Sequence, residues 1–310
     1  MPTVDVLLYL TETARHAPVW WMEELYRPYG GEYVWTDGAA LVDLLDRAGI
    51  DVGLAHGSDL RRTTFHPDHP DRHEVHVPND YTAAQCAAHP GRLYGVACVD
   101  ALRDVRAATE EIERCVTEFG FRMMKLLPTY HHHDPADPRL APVYEKCLEL
   151  DLPIHTHTGF TPIINAPMPH ARPVLLDELG IRYRELKVVV YLAFPYVDEG
   201  IAVVARHPNF YADLSYYAGG DPRDLYRVLN KLRSLGALDR AVYGSDNNDK
   251  QKSGPGGVAS DIFRAVNRVA AEVGGPELSD EEMEAIMGGT ASRLLKIPDR
   301  AAGTGGTAAK

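Results

Sequence analysis

Two kinds of block alternate along the chain. The first kind is a short apolar run, at residues 4–10, 51–56, 93–98, 121–127, 153–157, 187–193, 209–214 and 240–244. Runs of this length with little polar alternation predict strands buried on both faces, as in a parallel sheet. The second kind carries apolar residues at helical spacing, at 39–48, 79–88, 105–118, 140–150, 172–180, 198–206, 221–235 and 258–273. Gly49, Gly120 and Gly236 stand where these helices should stop, and Ser279 with Glu282 forms a capping box that starts one more.

Strands that alternate with helices need parallel pairing and crossover connections. Eight such units in roughly 250 residues match a closed (β/α)8 barrel, a TIM-type barrel. A doubly wound open sheet is the competitor, and it ranks lower because no Gly-rich phosphate loop follows the first strand. The barrel is predicted to span residues 1–298. Residues 299–310 are Gly/Ala/Thr-rich and predict a disordered tail.

Two segments interrupt the alternation. Residues 11–38 form a long connection rich in aromatics, among them Trp20, Trp21 and Trp35. Such a segment can wall a substrate pocket, form a subunit contact or simply pack on itself. Residues 61–78 are polar and carry His66, His69, His73 and His76 among prolines and aspartates, without metal-ligand spacing, and read as an exposed insertion.

The net charge of -12 argues against a nucleic-acid or anionic-membrane partner. The four cysteines have no C-x-x-C spacing and predict reduced, buried thiols in a cytoplasmic protein. Neither a signal peptide nor a membrane span is predicted. A small-molecule substrate is the expected partner, and homo-oligomerisation stays open.

The candidate chemistry centres on the stretch from Leu152 to Gly159, which contains His155 and His157. Residues two apart on a strand share a face, so both imidazoles point the same way. They suit metal ligation or acid/base work; a pair of core histidines bonded to backbone carbonyls is the alternative. In a barrel, chemistry gathers at the C-terminal ends of the strands. Tyr9, His56, Lys125 and Asp246 stand at such ends.

Six stretches in this order resemble the amidohydrolase superfamily, in particular its branch of aminocarboxymuconate-semialdehyde decarboxylase, aromatic-acid decarboxylases and lactone hydrolases. They are Leu44 to Asp51, His89 to Ala97, Leu152 to Gly159, His207 to Ser215, Tyr243 to Asp246 and Ile286 to Leu295. The resemblance implies a metal site built from an H-x-H on strand one, a His on strand five and an Asp on strand eight, served by a further His on strand six. Here the strand-one pair falls on Leu7 and Tyr9, and the strand-six His on Phe194. The strand-five His matches His157, and the strand-eight Asp matches Asp246.

A catalytic Zn²⁺ normally has three protein ligands and a water. The expectation is therefore an enzyme with no cofactor and the metal site largely lost. It would act by acid/base chemistry on a small aromatic or polyketide-like carbonyl compound, through hydrolysis, decarboxylation or a related proton transfer. Asp246 is the expected base, in a dry pocket that lifts its pKa. His157 passes protons, His155 orients it from one layer deeper, Lys125 stabilises an anion or pairs with Asp246, and Tyr9 donates a hydrogen bond. Trp20, Trp21, Trp35, His56 and Phe194 are expected at the substrate. One alternative is a hydrolase or carboxy-lyase holding Zn or another divalent metal on His155, His157 and Asp246. Another is a non-catalytic binder of a small molecule or partner.

Overall fold

The computed structural model describes residues 1–12, 15–29, 35–60, 75–247 and 259–299. Eight parallel strands run β1 (Val4–Tyr9), β2 (Val52–His56), β3 (Leu93–Cys98), β4 (Met123–Leu126), β5 (Ile154–Thr156), β6 (Val188–Tyr191), β7 (Phe210–Asp213) and β8 (Ala241–Val242). Each pairs with its sequence neighbours, in the order expected of a TIM-type barrel. The ring closes through backbone bonds from Val6 N to Tyr243 O at 3.1 Å and from Asp246 N to Leu7 O at 3.0 Å.

The helices form where capping and apolar spacing agree. In Gly38–Ala48 the Asp37 carboxylate accepts from Ala40 N at 2.8 Å, and Gly49 takes the left-handed conformation that ends the helix. Between them Leu41, Leu44, Leu45 and Ala48 are buried on one face against the sheet. Each such leucine contributes roughly 1.5–3 kcal/mol by leaving water. The predicted capping box is present, with Ser279 and Glu282 satisfying each other's backbone N–H groups.

Two cores result. The larger lies between the sheet and the helices. A second draws Val6, Leu54, Val96, Met123, Val189 and Val242 from six different strands and therefore fills the barrel interior.

The structure departs from the sequence expectations in the connections. Residues 11–38 are not all loop: Val19–Tyr26 is an α-helix followed by a 3-10 turn, Arg27–Tyr29. This helix belongs to a third apolar cluster with Leu60, Val75, Leu127, Tyr130 and Ile163, which roofs the C-terminal mouth of the barrel. The insertion is not exposed throughout. Its last residues His76–Val77 pair antiparallel with Ser58–Asp59, and Val75 and Val77 are buried. His66, His69 and His73 lie outside the described residues, as does the tail from residue 300. The helix expected at 258–273 divides into Ala259–Arg264 and Val266–Val273. All four cysteines are free thiols, three of them buried. Among the described residues no helix is long and apolar enough to cross a membrane.

Candidate active site

Under the roof lies a cavity of about 140 Å³. Its floor comes from strand ends: Leu7 and Tyr9 of β1, His157 just past β5, Tyr191 of β6, and Asp246 and Asn247 past β8. Its walls include Trp21, Tyr26, Tyr130, Phe160 and Tyr216. The barrel thus brings together the strand-one, strand-five and strand-eight positions that the sequence singled out.

Backbone geometry fixes these groups. Asp246 and Asn247 both have positive φ, 56° and 54°, which turns the chain sharply at the end of β8. Asp and Asn tolerate this region better than most residues. The Asn247 amide then clamps β1: its Oδ1 accepts from Tyr9 N at 2.8 Å, and its Nδ2 donates to Tyr9 O at 2.9 Å. Beyond His157 the chain turns at Gly159, where φ is 85° and a Cβ would meet Ala193 Cβ at 2.6 Å and Phe194 O at 2.9 Å.

The Tyr191 hydroxyl donates to Asp246 Oδ2 at 3.0 Å. The same ring stacks on His157, with centroids 5.4 Å apart and planes at 21°, and Tyr130 covers the imidazole from another side at 5.2 Å. His157 Nε2 is buried without a hydrogen-bond partner. Burial, followed by the neighbouring Lys125 and His155, pushes the His157 pKa down to about 3, so the ring is neutral. Burial and the Asp246 charge push the Tyr9 phenol well above its usual range, and burial does the same to Tyr130. Both phenols therefore remain protonated and able to donate.

His155 and Lys125 sit one layer deeper. They are cross-strand partners in the β4–β5 register and do not line the cavity. Lys125 Nζ donates to His155 Nδ1 at 2.9 Å, and His155 Nε2–H donates to Asp213 Oδ2 at 2.7 Å. Asp213 Oδ1 accepts from Ser215 N at 2.8 Å and from the Ser215 hydroxyl. Burial, then Lys125, holds the His155 pKa well below the usual imidazole value. The His155–Asp213 contact is accordingly a hydrogen bond from a neutral imidazole to a carboxylate, and the imidazole separates the Lys125 cation from the Asp213 anion. Burial lowers the Lys125 pKa to about 8 and raises that of Asp213 to about 6. Both are charged at neutral pH. Lys125 is therefore tied to His155 and Asp213, and neither of the two roles weighed for it, an anion contact or a pair with Asp246, is what these contacts show. Tyr9 covers it, with Nζ 5.3 Å from the ring centroid.

Of the five side chains expected at the substrate, Trp21 lines the cavity. Trp20 and Trp35 pack against the roof cluster from outside. His56 is wholly buried below the floor, its Nε2 bonded to Val6 O at 2.9 Å, so it cannot touch a substrate. Phe194 is 59% exposed. Strand β6 ends at Tyr191, earlier than residues 187–193 suggested, so Tyr191 presents the β6 side chain at the floor.

Tyr191, Asp213, Tyr130 and Asn247 were not picked out from the sequence. The signal available for Tyr191 was its place two residues beyond Val189 on an inward-facing strand. Asp213 lies directly across from it in the β6–β7 register.

These donors do not fit the divalent metal that the resemblance implies. Leu7 offers no donor atom, and both His155 ring nitrogens are engaged in the core. The set His155, His157 and Asp246 is therefore not assembled. Among the described residues no three His, Cys, Asp or Glu side chains are grouped to hold a metal ion.

The sequence model of the amidohydrolase family matches residues 16–297. A gamma-resorcylate decarboxylase from Rhodococcus jostii (strain RHA1) is 29% identical over 162 residues, which is 48% of this chain and 46% of that protein. The match thus spans about half the length of that relative. A probable 2-pyrone-4,6-dicarboxylic acid hydrolase from Acinetobacter baumannii, with citric acid bound, superposes with a TM-score of 0.63 at 16% identity, covering 96% of this chain and 100% of that one. A dihydroxybenzoic acid decarboxylase from Polaromonas sp. JS666, with bound manganese and the inhibitor 2-nitroresorcinol, gives 0.62 at 17% identity, covering 96% and 97%. At these identities the two structures speak for the shared barrel.

Proposed function

Since the chain belongs to the amidohydrolase family across residues 16–297, we propose that it is a hydrolase or lyase of that family whose metal chemistry has given way to metal-independent acid/base catalysis. The carrying observation is the floor itself. His157 and Asp246 converge on one aromatic-walled cavity, which Leu7 and Tyr9, the residues that the resemblance aligns with the family's first-strand ligands, also line.

Asp246 is the base. Tyr191 holds one carboxylate oxygen and fixes its orientation, and the carboxylate takes a proton from a substrate hydroxyl, an acidic C–H or a water. The unpartnered Nε2 of His157 awaits a polar atom of the ligand, and the neutral ring can accept or return a proton. The Tyr9 and Tyr130 hydroxyls donate toward oxygen that gains negative charge, the role a Lewis acid fills elsewhere. Tyr130 currently donates to Thr161 Oγ1 at 2.8 Å and can turn to a ligand. Lys125, His155 and Asp213 support the floor from below. The substrate is a small aromatic or polyketide-like carbonyl compound, handled in the cytoplasm.

The test is a rate screen in chelator-treated buffer with aryl esters, aromatic lactones and dihydroxybenzoates, comparing the wild type with Asp246→Asn. Turnover that survives the chelator and collapses in the variant supports the reading. Turnover that requires added Zn²⁺ or Mn²⁺ favours the metal-dependent alternative.

A further inference from the structure

Strand β1 does not alternate regularly. Val4 and Val6 face the barrel interior, Leu7 faces it as well, and Leu8 then turns to the core between sheet and helices. The pairing with β2 shows why. Asp5 lies opposite Gly53 and Leu8 opposite Ala55, so β1 holds one residue more than β2 between these pairs. This is a β-bulge, and an extra residue in a strand sends every later side chain to the other face. Without it Leu8 would point inward and Tyr9 toward the helices. With it, Tyr9 reaches the cavity floor beside Leu7.

A bulge takes backbone groups out of the ladder, and a buried N–H needs another acceptor. Asp5, itself buried, supplies one. Its Oδ1 accepts from Leu7 N inside the bulge and from Ser245 N after β8, both at 3.0 Å. One carboxylate oxygen therefore joins the bulge to the residue just before Asp246. Further bonds of that turn end on the same stretch of β1. Asp246 N donates to Leu7 O at 3.0 Å, and the Asn247 amide bonds both backbone groups of Tyr9. The turn thus takes its place from the bulge, and the bulge is held by Asp5.

We infer that Asp5 is a positioning residue for the floor: by holding the β1 bulge against the turn after β8, it directs Tyr9 into the cavity and sets where Asp246 stands. This rests on the reading that the cavity is the substrate site and Asp246 its base. Asp5 is not among the residues that line the cavity, so it acts through these two.

The test compares crystal structures and rates of the wild type, Asp5→Ala and Asp5→Asn. Alanine removes the acceptor, whereas the asparagine amide oxygen can still take both backbone bonds. In Asp5→Ala the Tyr191–Asp246 separation is expected to grow from 3.0 Å to beyond about 3.5 Å, out of hydrogen-bond reach. In Asp5→Asn the bond stays. Asp5→Ser, whose hydroxyl ends one bond short of the carboxylate, supplies the same reading if Asp5→Ala does not fold. On a substrate taken from the rate screen, Asp5→Ala should lose about 10²-fold in kcat, the scale of a misplaced reacting group. KM should change by less than about twofold, and Asp5→Asn should recover most of the rate. A folded Asp5→Ala that keeps the Tyr191–Asp246 bond overturns the inference, whatever its rate; a role in stability alone would give that bond with a lowered melting temperature. So does an Asp5→Asn that loses the bond as Asp5→Ala does. A bond lost in Asp5→Ala and restored in Asp5→Asn, with no change of rate, supports the positioning and counts against Asp246 as the base, so the two readings fail separately.

Discussion

Tyr191 and Asp246 come from strand ends that flank β7, and the Tyr191 hydroxyl donates to Asp246 Oδ2 at 3.0 Å. The bond joins the end of β6 to the turn after β8. It orients the one carboxylate among the described floor residues while leaving the His157 ring stacked alongside.

Asp246→Asn keeps the side-chain shape and removes the base. It should lower the rate on any turned-over substrate by about 10²–10⁴-fold, the usual span for a positioned acid/base group. Tyr191→Phe should cost less, because the carboxylate remains and only its orientation loosens. Steady-state rates with melting temperatures measured alongside check both. A folded Asp246→Asn with the wild-type rate sinks the acid/base assignment.

Lys125→Met tests the layer beneath. The substitution leaves the buried Asp213 carboxylate without its cation and His155 Nδ1 without its donor. Breaking one partner of a buried charge arrangement costs roughly 3–5 kcal/mol. A urea midpoint should fall accordingly. An unchanged midpoint would mean that the relay adds nothing to stability.

Asp5 gives a pH-dependent prediction. Its Oδ1 accepts from Leu7 N and Ser245 N, both at 3.0 Å, and burial pushes its pKa up to about 7. In the unfolded chain the same carboxyl ionises near pH 4 (about 3.9). Between these two values the folded protein binds more protons than the unfolded one, so stability drops as pH rises from about 4 to about 7 and then levels. The full difference is on the order of 4 kcal/mol. Asp5→Asn can accept the same two backbone bonds and has no charge to bury. It should therefore gain on the wild type more at pH 8 than at pH 5 in paired urea titrations. A gap independent of pH would refute the assignment.

Metal binding can be tested in both directions. The wild type, dialysed against Zn²⁺ and then buffer, should retain less than one equivalent by elemental analysis. Leu7→His with Tyr9→His adds two imidazoles on the floor that already holds His157 and Asp246, and it should bind Zn²⁺ with a raised melting temperature. A folded double variant that binds none would show that β1 does not present these two positions as the family does.

The sequence made the barrel legible because each strand is a short apolar run and each helix carries its own cap or stop. Residues 93–98 match β3 at both ends. Strand ends were less legible where apolar residues continue beyond the ladder. Leu192 and Ala193 read as strand, yet β6 stops at Tyr191, and Phe194 just beyond them turns to solvent. The same difficulty hid depth: His155 and His157 share a face, as their spacing requires. Whether each reaches the cavity or the core depends on where the strand ends and on which side chains cover it. Lys125 read as a candidate for the site because it stands with other polar groups at the strand ends where a barrel gathers its chemistry. Its partner two strands beyond His155 could be identified only once the barrel had curved Asp213 around to meet it.

The clamp from Asn247 to Tyr9 engages only backbone atoms of residue 9. It is indifferent to what side chain that residue carries. Position 9 can therefore exchange a metal-binding imidazole for a phenol without loosening the seam between the first and last strands. In a lineage, such a seam lets the reactive floor be rewritten one residue at a time while the barrel stays shut, and change of chemistry need not wait for a change of fold.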